Sequence, residues 1–143
     1  MNADTALLKK DLTDRVLGAF YDVYNALGHG FLESVYENAL ALTLEESGLA
    51  VAKQYPIEIN FKGRRIGEFR ADLLIEQSLV IEVKAQQSLV PANEAQLLNY
   101  LKATGIPIGL LLNFGPPQFK RRIFTESLIR VDPRQSLAKI DVQ

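Results

Sequence analysis

Gly67-Glu68-Phe69-Arg70-Ala71-Asp72-Leu73-Leu74-Ile75-Glu76-Gln77-Ser78-Leu79-Val80-Ile81-Glu82-Val83-Lys84-Ala85 reads as two strands joined by a short polar turn. Leu73, Leu74 and Ile75 close the first strand, and Leu79, Val80 and Ile81 open the second. Glu76-Gln77-Ser78 has nothing apolar to bury and is the expected turn. Centring the hairpin on Gln77 places Ile75 opposite Leu79, Leu73 opposite Ile81 and Asp72 opposite Glu82. Directly opposed residues of an antiparallel pair have Cβ atoms roughly 4.5–5.5 Å apart, and like charges there repel. Lys84, two residues beyond Glu82, shares its face. Two carboxylates and one ammonium thus converge at one end of an apolar hairpin. A divalent cation would relieve the repulsion, because hard ions take one or two carboxylates plus waters and substrate phosphate. A solvated salt-bridge cluster on an exposed sheet face is the competing account, and a register slip of one residue would separate Asp72 from Glu82.

The remaining chain bounds the chemistry. At 143 residues it is read as one domain, 1–143, with 48% hydrophobic and 23% charged residues, an ordinary globular composition. Cysteine is absent, which excludes disulfides, thiolate zinc sites and a cysteine nucleophile. His29 is the single histidine, which argues against a multi-histidine metal centre and against a Ser-His-Asp triad. No apolar run approaches the roughly 20 residues of a membrane span, and the N-terminus lacks a signal-peptide pattern, so a soluble cytoplasmic protein is expected. The net charge is −1, so contact with nucleic acid would need a local basic patch.

From about Asp4 to Leu27, Leu8, Leu12, Val16, Phe20, Val23, Tyr24 and Leu27 recur at helical spacing and predict a core-packing helix. Gly28-His29-Gly30 breaks it, and a second helix follows over about Leu32–Ser47. Glu33 and Glu37 share a face of that helix, where the macrodipole accounts for acids in the first turns. Tyr36 is expected to be half-buried core, and His29 a loop residue. Alternating Ile57, Ile59 and Phe61 predict a half-buried strand within Ala50–Phe61, with Tyr55-Pro56 at an edge or strand entry. Lys62-Gly63-Arg64-Arg65 turns into the hairpin, giving three antiparallel strands in sequence order.

A third helix is expected from about Ala92 to Thr104, with Leu97, Leu98 and Leu101 toward the core and Gln96 and Tyr100 on one face. Ile108–Phe114 is almost continuously apolar, as in a strand buried on both faces and parallel to a neighbour. Lys120-Arg121-Arg122 is the densest basic cluster and is read as a solvated edge in preference to a phosphate contact. Leu128, Ile129 and Val131 could add an edge strand. A homodimer is left open, through the first helix or the edge of the buried strand.

This order of elements and motifs resembles the GxxExxY protein family, a branch of the PD-(D/E)XK nuclease superfamily. Gly30-Phe31-Leu32-Glu33-Ser34-Val35-Tyr36 matches the naming motif letter for letter. Asp72 with Glu82-Val83-Lys84 matches the superfamily signature, and Gln96-Leu97-Leu98-Asn99-Tyr100 matches the Gln-x-x-x-Tyr motif of its exonuclease-like branch. The resemblance covers about Ala19–Ile123, with 125–143 as a tail. It departs at His29, where the family commonly has proline, and at Asn93, where it commonly has histidine.

The resemblance implies an α/β, restriction-endonuclease-like core, with a mixed central sheet of four to five strands flanked by helices in the order ααβββαβ. It also implies a metal-dependent nuclease hydrolysing phosphodiester bonds of DNA or RNA. Asp72 and Glu82 would hold Mg²⁺ or Mn²⁺ with the Val83 carbonyl, and Glu33 would approach from the second helix, with Glu37 as its substitute. Lys84 would position the attacking water and stabilise phosphate charge, and Gln96 and Tyr100 would support the site or touch the nucleic acid. The alternative on the same fold is a catalytically weak or inactive module that binds nucleic acid or protein.

Overall fold

The computed structural model describes residues 3–124. Helices α1 (Ala3–Leu27) and α2 (Glu33–Glu46) precede strands β1 (Val51–Phe61), β2 (Arg64–Ile75) and β3 (Leu79–Lys84). Helix α3 (Pro91–Thr104) then leads into β4 (Ile108–Asn113) and β5 (Gln118–Ile123). The five strands form one mixed sheet in the order β1-β2-β3-β4-β5, antiparallel except for the β3–β4 pair, which is parallel because α3 crosses between them. This is the expected restriction-endonuclease-like α/β architecture.

The edge beyond β4 differs from expectation. Its strand comes from Gln118–Ile123 and so contains Lys120-Arg121-Arg122. Arg122 bonds Glu94 of α3, and Lys120 approaches the same carboxylate at 4.0 Å. Alternation along an edge strand lets a charged run pair toward a helix on one side and meet water on the other. The strand proposed at Leu128, Ile129 and Val131 lies outside the described residues.

Each face of the sheet packs a separate apolar layer. Val16, Phe20 and Val23 of α1 and Tyr36, Leu40 and Leu44 of α2 pack on Leu73, Ile75, Leu79, Ile81, Val83, Leu110 and Leu112. Leu97, Tyr100 and Leu101 of α3 pack on Ile57, Ala71, Leu74, Val80 and Leu111. Strands β3 and β4 contribute to both layers, which explains their near-continuous apolar sequence. Tyr36 is fully buried, more so than its sequence context predicts. It stacks on Phe114 at 4.5 Å between centroids, and Phe114 meets Phe20 edge-on at 4.8 Å. The Tyr36 hydroxyl donates to the Gly28 carbonyl at 2.5 Å and accepts the Phe31 amide at 3.3 Å, tying the α1–α2 turn to the core. Gly28 and Gly30 hold the positive φ angles of that turn.

Two glycines permit close approaches. A Cβ on Gly109 would lie 2.6 Å from Leu97 Cδ1, so the bare backbone lets α3 settle onto β4. A Cβ on Gly115 would lie 1.8 Å from the Gln86 carbonyl oxygen, a backbone atom with little room to move. Gly109→Ala is therefore expected to cost about 1–3 kcal/mol through overpacking against a movable leucine. Gly115→Ala is expected to cost more, and urea midpoints of the two variants against the native chain would check the order.

Candidate active site

The hairpin register is as the alternation requires up to a definite point. Ile75 pairs with Leu79, Leu74 with Val80 and Leu73 with Ile81. At the next position side chains take over the cross-strand bonding. The Asp72 amide donates to Glu82 Oε2 at 2.8 Å, and the Val83 amide donates to Asp72 Oδ2 at 2.7 Å. Each carboxylate thus accepts from the backbone of the other strand. The anticipated repulsion between Asp72 and Glu82 is partly offset by these two bonds to backbone amides.

Burial dominates the electrostatics. Glu82 is 4% exposed, and burial together with the Asp72 charge pushes its carboxyl up to about 8, against the opposing Asp72 amide and Lys84. Burial likewise lifts Asp72 above its ordinary value, opposed by the Val83 amide and by Lys84. Lys84 thus lies within coulombic reach of both acids. Tyr100, 5% exposed, is pushed up to about 12 by burial and then by the charges of Glu82 and Asp72.

Helix α2 delivers its two acids to different places. Glu33, at the first helical position, is exposed and accepts the Ala85 amide at 3.4 Å, just past the end of β3. Glu37, one turn on, lies against Asp72, and burial raises its carboxyl above the ordinary value. Gln96, one turn before Tyr100 on α3, is half-buried. Asn93 is used structurally, its Oδ1 accepting the Val90 amide at 3.0 Å to cap the start of α3. His29 is exposed in the α1–α2 turn.

Two residues at the site were not singled out from sequence. Gln54 of β1 donates its side-chain amide to both Glu37 oxygens, at 3.0 and 2.9 Å. In sequence it is one polar residue in an alternating strand and carries no signal. Asn113, fully buried at the end of β4, bonds the Gln86 amide and carbonyl, each at 2.9 Å, and the Pro116 carbonyl at 3.2 Å. It holds the chain immediately after Lys84. An amide closing a wholly apolar run was the signal for it.

Among the described residues no three acidic or imidazole side chains gather into a closed metal cage. Mg²⁺ needs none, since one or two carboxylates, waters and substrate phosphate suffice. Asp72 and Glu82 fit that demand. They are adjacent oxygen donors, held in place by backbone amides, in surroundings that resist their charge until a cation compensates it.

A family model described as the PD-(D/E)XK nuclease superfamily matches residues 10–125. No curated protein matches the sequence. Among solved structures, that of SSO0001 is similar over 96% of this chain and 69% of that one, with 20% identity and a TM-score of 0.51, a likeness of fold. The family match spans α2, all five strands and α3, and with them Asp72 and Glu82-Val83-Lys84. The chain belongs to the PD-(D/E)XK nuclease superfamily.

Proposed function

We propose that the chain is a metal-dependent nuclease domain that hydrolyses phosphodiester bonds of DNA or RNA, and that it falls in the GxxExxY branch of its superfamily. The observation that carries this is the pair of cross-bonded carboxylates, Asp72 and Glu82, beside Lys84 on a superfamily scaffold. Asp72 and Glu82, with the Val83 carbonyl, would hold Mg²⁺ or Mn²⁺. A divalent ion bound there supplies an acidified water and neutralises charge that builds on phosphate oxygens. The Lys84 ammonium orients the attacking water and stabilises the same phosphate charge. Tyr100 keeps its proton at neutral pH and so offers a hydrogen-bond donor to the substrate backbone, with Gln96 one turn away on the same face. Glu33 and Glu37 flank the site from α2.

One observation favours the second reading, a binding module with weak or no catalysis. Asn93 caps α3 where relatives commonly carry histidine, so no imidazole stands one turn before Gln96. In that case the chain binds nucleic acid or protein without cutting, and the binding is indifferent to Asp72, Glu82 and Lys84. Among the described residues no helix is long and apolar enough to cross a membrane.

Calorimetric titration of Mg²⁺ and Mn²⁺, followed by cleavage assays on single- and double-stranded DNA and RNA, separates these readings. Asp72→Asn and Glu82→Gln are expected to remain folded and to lose both saturable binding and cleavage. Lys84→Ala is expected to keep metal binding and lose cleavage by about 10²-fold or more, the scale of one transition-state stabiliser. Metal-dependent cleavage by Asp72→Asn at the native rate would overturn the nuclease assignment.

Acid titration supplies an independent check. Glu82 releases its proton at about 8 in the folded chain, against an ordinary value of 4.5. Between those values the folded state holds a proton that the unfolded state has released, so stability falls as pH rises. The metal-free chain is expected to be most stable on this account below about pH 4.5 and to lose the contribution by pH 8. Glu82→Gln should flatten that part of the profile, and Mg²⁺ should restore the native chain most at the alkaline end. Thermal melts at pH 5 to 8, with and without Mg²⁺, give the comparison.

A further inference from the structure

Strand β1 misses a rung at Gln54. Gln54 has φ of 51°, in the left-handed region that glycine adopts freely and other residues rarely do. Lys53 pairs with Leu73 and Tyr55 with Ala71, and the rung between them, Gln54 opposite Asp72, is left unpaired. Register is the same on both sides of this gap, so no inserted residue forces the distortion. Gln54 is exposed, so burial of its side chain does not offset the strain either.

The conformation produces a set of bonds around the site. The Gln54 amide meets both oxygens of Glu37 at 3.0 and 2.9 Å. Its carbonyl accepts from Arg70 Nη1 at 3.2 Å, two residues before Asp72 on the facing strand. Gln54 and Glu37 both lie against Asp72. By donating to Glu37, the Gln54 amide offsets part of the repulsion that two neighbouring carboxylates would exert between α2 and β2. Non-glycine residues held in such backbone regions cluster where function requires the geometry.

We infer that Gln54 is a positioning residue of this site, whose left-handed backbone carries its amide across to hold the Glu37 carboxylate against Asp72, making Glu37 the acid that α2 contributes beside the metal ligands. The inference rests on the nuclease reading, because it assigns Glu37 a place beside the cation that Asp72 and Glu82 would hold. Glu33 stays one turn away, at the Ala85 amide.

Gln54→Gly tests the inference cleanly. Glycine adopts the left-handed region without strain, so this variant keeps the backbone and removes only the amide. Relief of the backbone strain offsets part of the lost amide bonding, so the variant is expected to stay folded with a cooperative melt. Mn²⁺ affinity, measured by calorimetry, is expected to fall about tenfold or more, the usual effect of removing a group that orients a ligand. Glu37→Gln should weaken Mn²⁺ similarly, and the double variant should bind no more weakly than Glu37→Gln alone. Native affinity in Gln54→Gly, with binding lost in Asp72→Asn, would overturn the inference and leave the nuclease reading standing. Additive losses in the double variant would also overturn it, by showing that Gln54 acts other than through Glu37. Absence of Mn²⁺ binding by the native chain would remove the nuclease reading and the inference together.

Discussion

The site depends on how two buried acids are kept side by side. Asp72 and Glu82 sit where β2 and β3 cease to pair through backbone alone. Each sends a carboxylate oxygen to an amide of the opposite strand, at 2.8 and 2.7 Å. Those bonds satisfy two amides that would otherwise be orphaned at the end of the ladder. They favour the charge of the two acids, but burial disfavours it more strongly and raises both groups above their ordinary values. The same contact closes the sheet and stores an electrostatic demand that a cation would meet. Structure and chemistry at this point cannot be separated.

The surrounding fold holds the three approaches to that contact. Tyr36, wedged on Phe114 and bonded to Gly28, sets where α2 begins and therefore where Glu33 and Glu37 arrive. Asn113 and Gly115 pin the segment that follows Lys84, one by bonding the Gln86 backbone and the other by leaving room for it. Gly109 lets α3 lie close on β4, and Tyr100 reaches the acids from that side. None of these residues needs to touch a substrate to matter. Each is a packing or hydrogen-bonding constraint that fixes the position of a side chain beside the two acids.

The strands around the site also change sides. Along β1, Val51 packs in the α1–α2 layer and Lys53 bonds Asn38 of α2, whereas Tyr55, Ile57 and Ile59 pack in the α3 layer. Along β2, Ile75 and Leu73 belong to the first layer and Ala71 to the second. The switch falls at Gln54 in one strand and Asp72 in the other. The unpaired rung between them is thus the place where the long hairpin rotates from one layer to the other. The acid of the signature occupies that rotation point, with its carboxylate turned toward α2 and β3.

The helices, the hairpin and its register, the buried parallel strand and the convergence of Asp72, Glu82 and Lys84 at one end were legible in the residues alone. All of these follow from periodicity and turn chemistry, which act between near neighbours and are written in the chain. It did not reveal β5, because Lys120-Arg121-Arg122 resembles a solvated run until Glu94 of a distant helix is placed beside it. Nor could it reveal the change of layer, since Val51, Tyr55, Ile57 and Ile59 keep the same parity and read as one face. The positions of Glu33 and Glu37 relative to the sheet were equally hidden. Both lie on one side of α2, and which of them stands against Asp72 depends on how the helix crosses the sheet and on an amide from β1. Helix placement and backbone rotation arise from contacts between segments remote in sequence, and no local pattern encodes them.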